Sequence, residues 1–308
     1  MKIVEPSFEI QDDLDRASLA VRLEACGRIC YKSEDKITED SAIPFVTKVA
    51  AHGHNSVLEM AVATVEVTCR PERLADLFAC QPRYLIIDPT PAGCFITGSI
   101  RAYREAGAAH ADNAIIRGIL SVLSAKSPFL FAGVVAEEDM QAPPAGLGVR
   151  KLSLDEVDAL PAELLRRHRF VGVKFIVNRA VTHELVRHRP CSFLQESQRY
   201  CRYSQEKFGN QVTFIKPMFF EKGTAEYSLW QQAMEETERL YLQLLETSTP
   251  QAARTVLPNS CKTELIMYCN LAEWKHVFTL RTSPAAEPSM REIMIPLAEE
   301  IQRRYPFM

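Results

Sequence analysis

No stretch of the 308-residue sequence approaches the uninterrupted apolar run, roughly eighteen residues, that a membrane-spanning helix requires. The opening Met-Lys-Ile-Val-Glu-Pro-Ser has no apolar core of the kind that directs secretion, which predicts a cytoplasmic location. A basic excess is also missing: 36 Lys and Arg stand against 39 Asp and Glu, for a net charge of −3. Nonspecific attachment to nucleic acid or to an anionic membrane needs the opposite sign, so neither is expected as a partner. The nine cysteines include no Cys-x-x-Cys pair, which excludes a zinc ribbon and a dithiol redox motif. Most lie among apolar neighbours and read as small buried side chains of a reducing compartment. There is no glycine-rich phosphate loop and no βαβ rhythm, so neither a P-loop nor a Rossmann site is encoded. Solenoid repeats and low-complexity tracts are lacking too.

What is present is an ordinary globular composition, 47% hydrophobic and 24% charged, enough for one large domain or two small ones. Within it one stretch stands apart. Residues 183–202 hold Arg187, Arg189, Arg199 and Arg202, with His183, His188, Ser192 and Ser197, against only Glu184 and Glu196. Guanidinium forks grip phosphate oxygens in pairs, so this density suits a phosphate-bearing ligand; a solvated charged face is the plainer alternative. Val177, Ala180, Val181, Leu185 and Val186 predict a buried strand and then a short helix. Pro190 disfavours helix at Arg189, so that helix should end near His188. His183 and His188 are five apart, about 140° out of line on a helix, which argues against a zinc-protease pair and leaves no metal site predicted. Cys191, set among the arginines, is the one candidate reactive thiolate.

The rest of the chain reads as mixed α and β. Helical spacing predicts a helix over residues 14–31 and a second after Asp40 or Ser41. The His52-Gly-His54 turn precedes Asn55 or Ser56, whose free N–H groups at a helix start favour an anion over a metal. Alternation predicts strands over 61–68, 171–177, 212–215 and 262–270. Residues 70–168 form an excursion with prolines (Pro143-Pro144 among them), a helix over 114–125, a strand-turn-helix over 94–104 and an acidic-polar segment over 137–158. Helices are predicted over 225–245, 249–258, 271–280 and 289–304, the last covering the sheet.

Taken together, several ordered motifs resemble flavin-dependent thymidylate synthases. Arg187-His-Arg189, seven residues and then Ser197 is similar to the signature of that family, with Gln195-Glu-Ser-Gln-Arg-Tyr200 inside it. His52-Gly-His-Asn-Ser-Val-Leu-Glu59 resembles its upstream element, except that Met60 stands where the family usually has histidine. Ala253-Arg-Thr-Val-Leu-Pro258, Asn270, Trp274-Lys-His276 and Leu280-Arg281 follow as its C-terminal landmarks.

The resemblance implies an α+β fold of the thymidylate synthase-complementing type, a mixed, largely antiparallel twisted sheet flanked by helices. It implies a single catalytic domain over 1–308 with an insertion at about 70–168. It also implies a homotetramer whose active sites draw on more than one subunit. The reaction implied is reductive methylation of dUMP to dTMP on FAD, with 5,10-methylenetetrahydrofolate as carbon donor and NADPH as reductant. Carried over residue by residue, His54, Ser56, Arg187, His188, Arg189, Gln195, Asn270 and His276 fall at the cofactor. Glu184, Arg187, Gln195, Glu196, Ser197, Gln198, Arg199, Arg254 and Arg281 fall at the nucleotide, Arg281 as the catalytic group. The chemistry is consistent with that role: a uracil made electron-rich at C5 needs a fixed cation beside its deprotonated edge, and arginine does not lose its proton. Two rivals remain, a nucleotide- or RNA-binding module using the same arginines, which the charge of −3 disfavours, and a transferase using Cys191.

Overall fold

The computed structural model describes residues 1–134 and 146–308. Ten strands are found among the described residues: β1 (Lys2–Val4), β2 (Ser7–Ile10), β3 (Val62–Thr68), β4 (Ile86–Thr90), β5 (Gly93–Ser99), β6 (Gly148–Lys151), β7 (Phe170–Asn178), β8 (Ser192–Gln195), β9 (Thr213–Ile215) and β10 (Lys262–Asn270). They make two antiparallel four-stranded sheets, ordered β2-β7-β10-β8 and β4-β5-β3-β6, and a small parallel pair β1-β9. With helices packed on these sheets, the class is α+β.

The β7–β10 pair is the backbone of the molecule. Their register runs unbroken from Lys262 opposite Asn178 to Asn270 opposite Phe170. Successive strand residues point to opposite faces, and β10 uses both. Leu265, Met267 and Cys269 enter a core with Trp274, Val277, Met290, Met294 and Leu297. Ile266 and Tyr268 enter a second core with Leu23, Val65, Ile96 and Ile119. The sequence predicts one buried face for this strand; the central position in a covered sheet buries the other as well.

The second sheet pairs β3 with three strands of the excursion, β4, β5 and β6. Gly93 lets β3 approach closely at its turn, since a Cβ there would lie 1.9 Å from the Val67 carbonyl oxygen. A buried polar chain ties this sheet to the segment entering β7: Thr64 Oγ1 to Thr97 Oγ1 at 2.8 Å, Thr97 Oγ1 to His168 Nδ1 at 2.7 Å, and His168 Nε2 to Asp88 at 2.9 Å.

Differences from the sequence reading are local. The helix predicted over 14–31 is two, Asp12–Arg16 and Leu19–Ile29, because the Ser18 side chain accepts from Val21 N–H and starts a new one. The predicted strand-turn-helix over 94–104 is β5 running directly into the Ile100–Ala109 helix, with Ser99 as cap. Of the acidic-polar segment, residues 137–145, Pro143-Pro144 included, lie outside the described residues. The remainder holds β6 and the Leu154–Asp158 helix, closed by a Ser153/Glu156 capping box.

Candidate active site

Two asparagines set up the site. Asn178 ends β7 and its side chain caps the Arg179–Leu185 helix; Asn270 ends β10 and caps the Leu271–Arg281 helix. Because β7 and β10 are antiparallel, the helices leave from opposite ends of the pair, and their C-terminal ends meet. The first helix stops at Leu185, three residues before the predicted end at His188. The chain then turns through Arg187-His188-Arg189-Pro190 and enters β8, a strand the sequence reading missed.

Arg281 joins the two helix ends. Its Nη1 donates to Glu184 Oε2 at 2.6 Å, its Nη2 to the Glu184 carbonyl at 3.1 Å and its Nε to His188 Nε2 at 2.9 Å. A cation is favoured where two helix C-termini present their free carbonyls. A guanidinium carries five N–H donors and cannot accept, so His188 holds its ring proton at Nδ1 and Arg281 retains two uncommitted donors. His276 packs edge-on against His188, ring centroids 6.2 Å apart. Burial first, then the charge of Arg281 and the neighbouring His276, depresses the His188 pKa, so the ring is neutral.

The downstream candidates divide. Gln195 donates to Thr182 Oγ1 at 3.0 Å and Thr263 Oγ1 at 3.1 Å, which fixes β8 to the first helix. Glu196 is expected at the nucleotide, and its carboxylate is already engaged within the chain. The residue is 2% exposed, with one oxygen taken by Tyr203 at 2.9 Å and the other by Lys262 at 2.8 Å. Lys262 also donates to Glu264 at 2.6 Å, and Glu264 meets Lys32 at 2.9 Å and Lys174 at 3.0 Å. Burial raises the Glu264 pKa, but Lys262, Lys32 and Lys174 outweigh it and hold the carboxyl at about 2. This network escaped the sequence reading. It anchors the turn that follows, where Ser197 N–H donates to the Cys30 carbonyl at 3.0 Å. Gln198 is buried with Nε2 lacking a hydrogen-bond partner. Exposed Arg199 reaches Gln251 at 3.4 Å, one helical turn before half-buried Arg254.

The remaining candidates lie at the rim. Arg189 and Asn270 line a cavity of about 450 Å³ between the second sheet and the arginine turn, with Glu59, Arg101 and Cys191. The Asn270 side chain is half committed, accepting from Glu273 N–H at 2.9 Å and donating to the Arg167 carbonyl at 3.0 Å. Arg187 and His276 are exposed, and exposed His54 and Ser56 sit in the turn before the one-turn helix Val57–Met60. Met60 is fully buried and belongs to the core. His183 is exposed while His188 is buried, so the two histidines do not share an environment.

A family model described as thymidylate synthase complementing protein matches residues 166–307. That span runs from just before β7 to the end of the last helix and contains the whole Arg281 cluster. The match covers just under half of the chain. The chain is 38% identical over 128 residues to the flavin-dependent thymidylate synthase of Pyrococcus abyssi, covering 41% of this chain and 52% of that protein. It is 31% identical over 131 residues to the enzyme of the same name from Sulfurisphaera tokodaii, covering 42% and 49%. Against that of Corynebacterium efficiens it is 28% identical over 146 residues, covering 42% and 56%. The chain spans about half the length of the curated relatives it matches. His54 and Ser56 lie outside the matched residues.

The buried histidines give a pH prediction. Burial is the leading cause of a depressed pKa at both His188 and His168. Once the pH drops below the ordinary histidine value of about 6.5, the unfolded chain takes up protons that these folded sites refuse, so stability falls with acid. The melting temperature should therefore drop between about pH 7 and about pH 5, and less steeply in His168→Gln and His188→Gln. Identical slopes in wild type and both variants would contradict neutral burial.

Proposed function

We propose that this protein is an FAD-dependent thymidylate synthase, converting dUMP to dTMP with 5,10-methylenetetrahydrofolate as carbon donor and NADPH as reductant. The observation that carries the reading is Arg281, fixed by Glu184 and His188 at two converging helix ends with two N–H donors left over. Those two donors suit the N3–carbonyl edge of a uracil. The same reading takes residues 1–308 as one catalytic domain of the thymidylate synthase-complementing fold, with about 70–168 as its insertion. It also takes the assembly as a homotetramer with shared active sites, in the cytoplasm.

The residues present fit the ligands by their chemistry. Arg187 and Arg189 are exposed and form no ion pair with another described residue, as donors to a cofactor's phosphates should be. Gln198 Nε2 is an orphaned buried donor beside Ser197, and an orphaned polar group of this kind calls for a partner. Arg199, which reaches Gln251, and Arg254, three residues beyond Gln251, are candidates for the dUMP phosphate. FAD, when bound, supplies the hydride chemistry, and the chain supplies orientation and field.

In this mechanism Arg281 is an electrostatic activator. It stabilises negative charge on the uracil edge, which makes C5 electron-rich, and it cannot serve as a base. Glu184 keeps the guanidinium in place, and neutral His188 accepts from its Nε without adding a competing positive charge. Glu196 acts through the buried lysines as a support for the Ser197–Arg199 turn. No enzyme nucleophile is required. Cys191→Ala is accordingly expected to retain activity to within about threefold, the scale of a minor packing change. Loss of all turnover in that variant would favour a thiol mechanism instead. The direct test is the purified protein itself. It should carry flavin absorbance and form dTMP only when folate and NADPH are supplied together; colourless protein that FAD fails to reconstitute would count against the reading.

A further inference from the structure

A second cavity, of about 220 Å³, lies where the two four-stranded sheets meet. Thr64 of β3 and Lys151 of β6 line it from one sheet, Phe170 of β7 and Tyr268 of β10 from the other. It shares only Val62 and Phe170 with the cavity beside Arg189, and none of the flavin or nucleotide candidates lines it. Pockets for drug-sized ligands begin at roughly 300 Å³, so this one suits something smaller.

Its free polar groups are donors. Ser18 and Leu19, the cap and first residue of the Leu19–Ile29 helix, line the cavity. The Ser18 hydroxyl oxygen takes the Val21 N–H at 3.3 Å, which leaves the Leu19 and Ala20 N–H groups without a helical acceptor. Tyr268 is 6% exposed, and its hydroxyl has no hydrogen-bond partner among the described residues. Burial pushes its pKa up to about 12, so the phenol keeps its proton and can donate. Half-buried Lys151 forms no ion pair with a described residue, and burial, with Lys126 nearby, lowers its pKa. Both groups are costly to enclose without a partner.

The charges have a matching sign. Arg16, Lys151 and Arg169 line the cavity against Asp15 alone, and Asp15 is already held by Arg22 at 2.5 Å and Arg169 at 2.8 Å. Asp155 and Asp158 engage Arg16 at 2.9 Å and Arg169 at 2.8 Å, so Lys151 is the cation left over. An ammonium, a hydroxyl and a helix start, all with donors to spare, suit an anion.

We propose that this cavity binds a small oxyanion, a carboxylate or a phosphate group, through Lys151, the Tyr268 hydroxyl and the start of the Leu19–Ile29 helix. A bound anion would tie the second sheet to the β7–β10 pair. The site stands apart from the thymidylate synthase reading and does not depend on it.

The test is calorimetric titration of flavin-loaded protein with inorganic phosphate and, separately, with succinate. Saturating dUMP is present throughout, so that the nucleotide's own phosphate site is filled. Wild type should bind one ion per subunit, and Tyr268→Phe and Lys151→Met should each weaken binding about tenfold, the scale of one lost hydrogen bond to a charged group. Each substitution removes a group that has no partner, so the melting temperature without added anion should hold or rise. Binding of phosphate alone supports a phosphoryl ligand at the site, and binding of succinate alone supports a carboxylate. No saturable binding in wild type, or wild-type affinity in both variants, overturns the assignment. So does a lower melting temperature of both variants without added anion, which would mark the two groups as structural. Should the protein hold neither flavin nor dUMP, the same titrations on the protein alone still read this site, so the two proposals fail separately.

Discussion

Replacing Arg281 with alanine should lower dTMP formation by about 100- to 1000-fold, the cost of removing one preorganised donor aimed at developing charge. Flavin content should be unaffected, since Arg281 contacts Glu184 and His188 and does not line the cavity beside Arg189. Arg281→Lys should recover little. An ammonium has no planar fork, so it cannot hold Glu184 and His188 while presenting two further N–H groups in one plane. Glu184→Gln offers an intermediate case: the guanidinium keeps the His188 contact and the Glu184 carbonyl but loses its charged partner. The measurement is steady-state dTMP formation under anaerobic conditions, with flavin absorbance recorded on the same samples. A variant at position 281 that keeps wild-type turnover would remove the electrostatic role assigned to it.

The second large effect is on stability. Lys262→Met should destabilise the fold by about 3–5 kcal/mol, because it leaves the buried Glu196 and Glu264 carboxylates without their shared cation. That corresponds to a fall in melting temperature of roughly 10 °C for a chain of this size. The pH dependence sharpens the test. Glu264 has a folded pKa of about 2, below its unfolded value, so its contribution is complete above the ordinary carboxylate range near about 4.3. It is lost as the pH falls from there through the folded value. Lys262 is the first-ranked of the three lysines that lower it, so Lys262→Met should shrink this acid limb as well as lowering the plateau. Calorimetry from about pH 7 down to about pH 3 reads both. A plateau loss below about 1 kcal/mol would mean that the lysine is not what compensates the two carboxylates.

Sequence patterning made the long elements legible for a physical reason: periodicity accumulates over many residues. β7, β10 and the helices Ala225–Thr247 and Pro288–Arg304 fall within a residue or two of where apolar spacing predicts them. β8 was invisible because Ser-Phe-Leu-Gln is too short to show alternation and sits against polar neighbours on both sides. Its pairing to β10 is a tertiary fact. The capping roles of Asn178 and Asn270 were equally hidden, since each lies at the end of a strand and declares itself only through the helix that follows.

The site shows the same division. The arginine density of 183–202 pointed to an anion site, and the structure brings Glu184 and His188 to Arg281 from more than ninety residues away, with His276 packed on His188. Nothing local reveals that Lys262 and Tyr203 will enclose Glu196. The Lys32 contact to Glu264 spans 232 positions, beyond any spacing argument. Charge type and density are written locally; which charges satisfy one another is decided by the fold.

The central claim is that Arg281, held between two helix ends, activates a uracil nucleotide beside a flavin. A single-turnover experiment addresses it most directly: flavin-loaded, reduced protein mixed anaerobically with dUMP and 5,10-methylenetetrahydrofolate, and the nucleotide product identified by mass spectrometry. The account predicts dTMP in proportion to bound flavin for wild type and almost none for Arg281→Ala. Full flavin occupancy with dUMP recovered unchanged from wild type would contradict it.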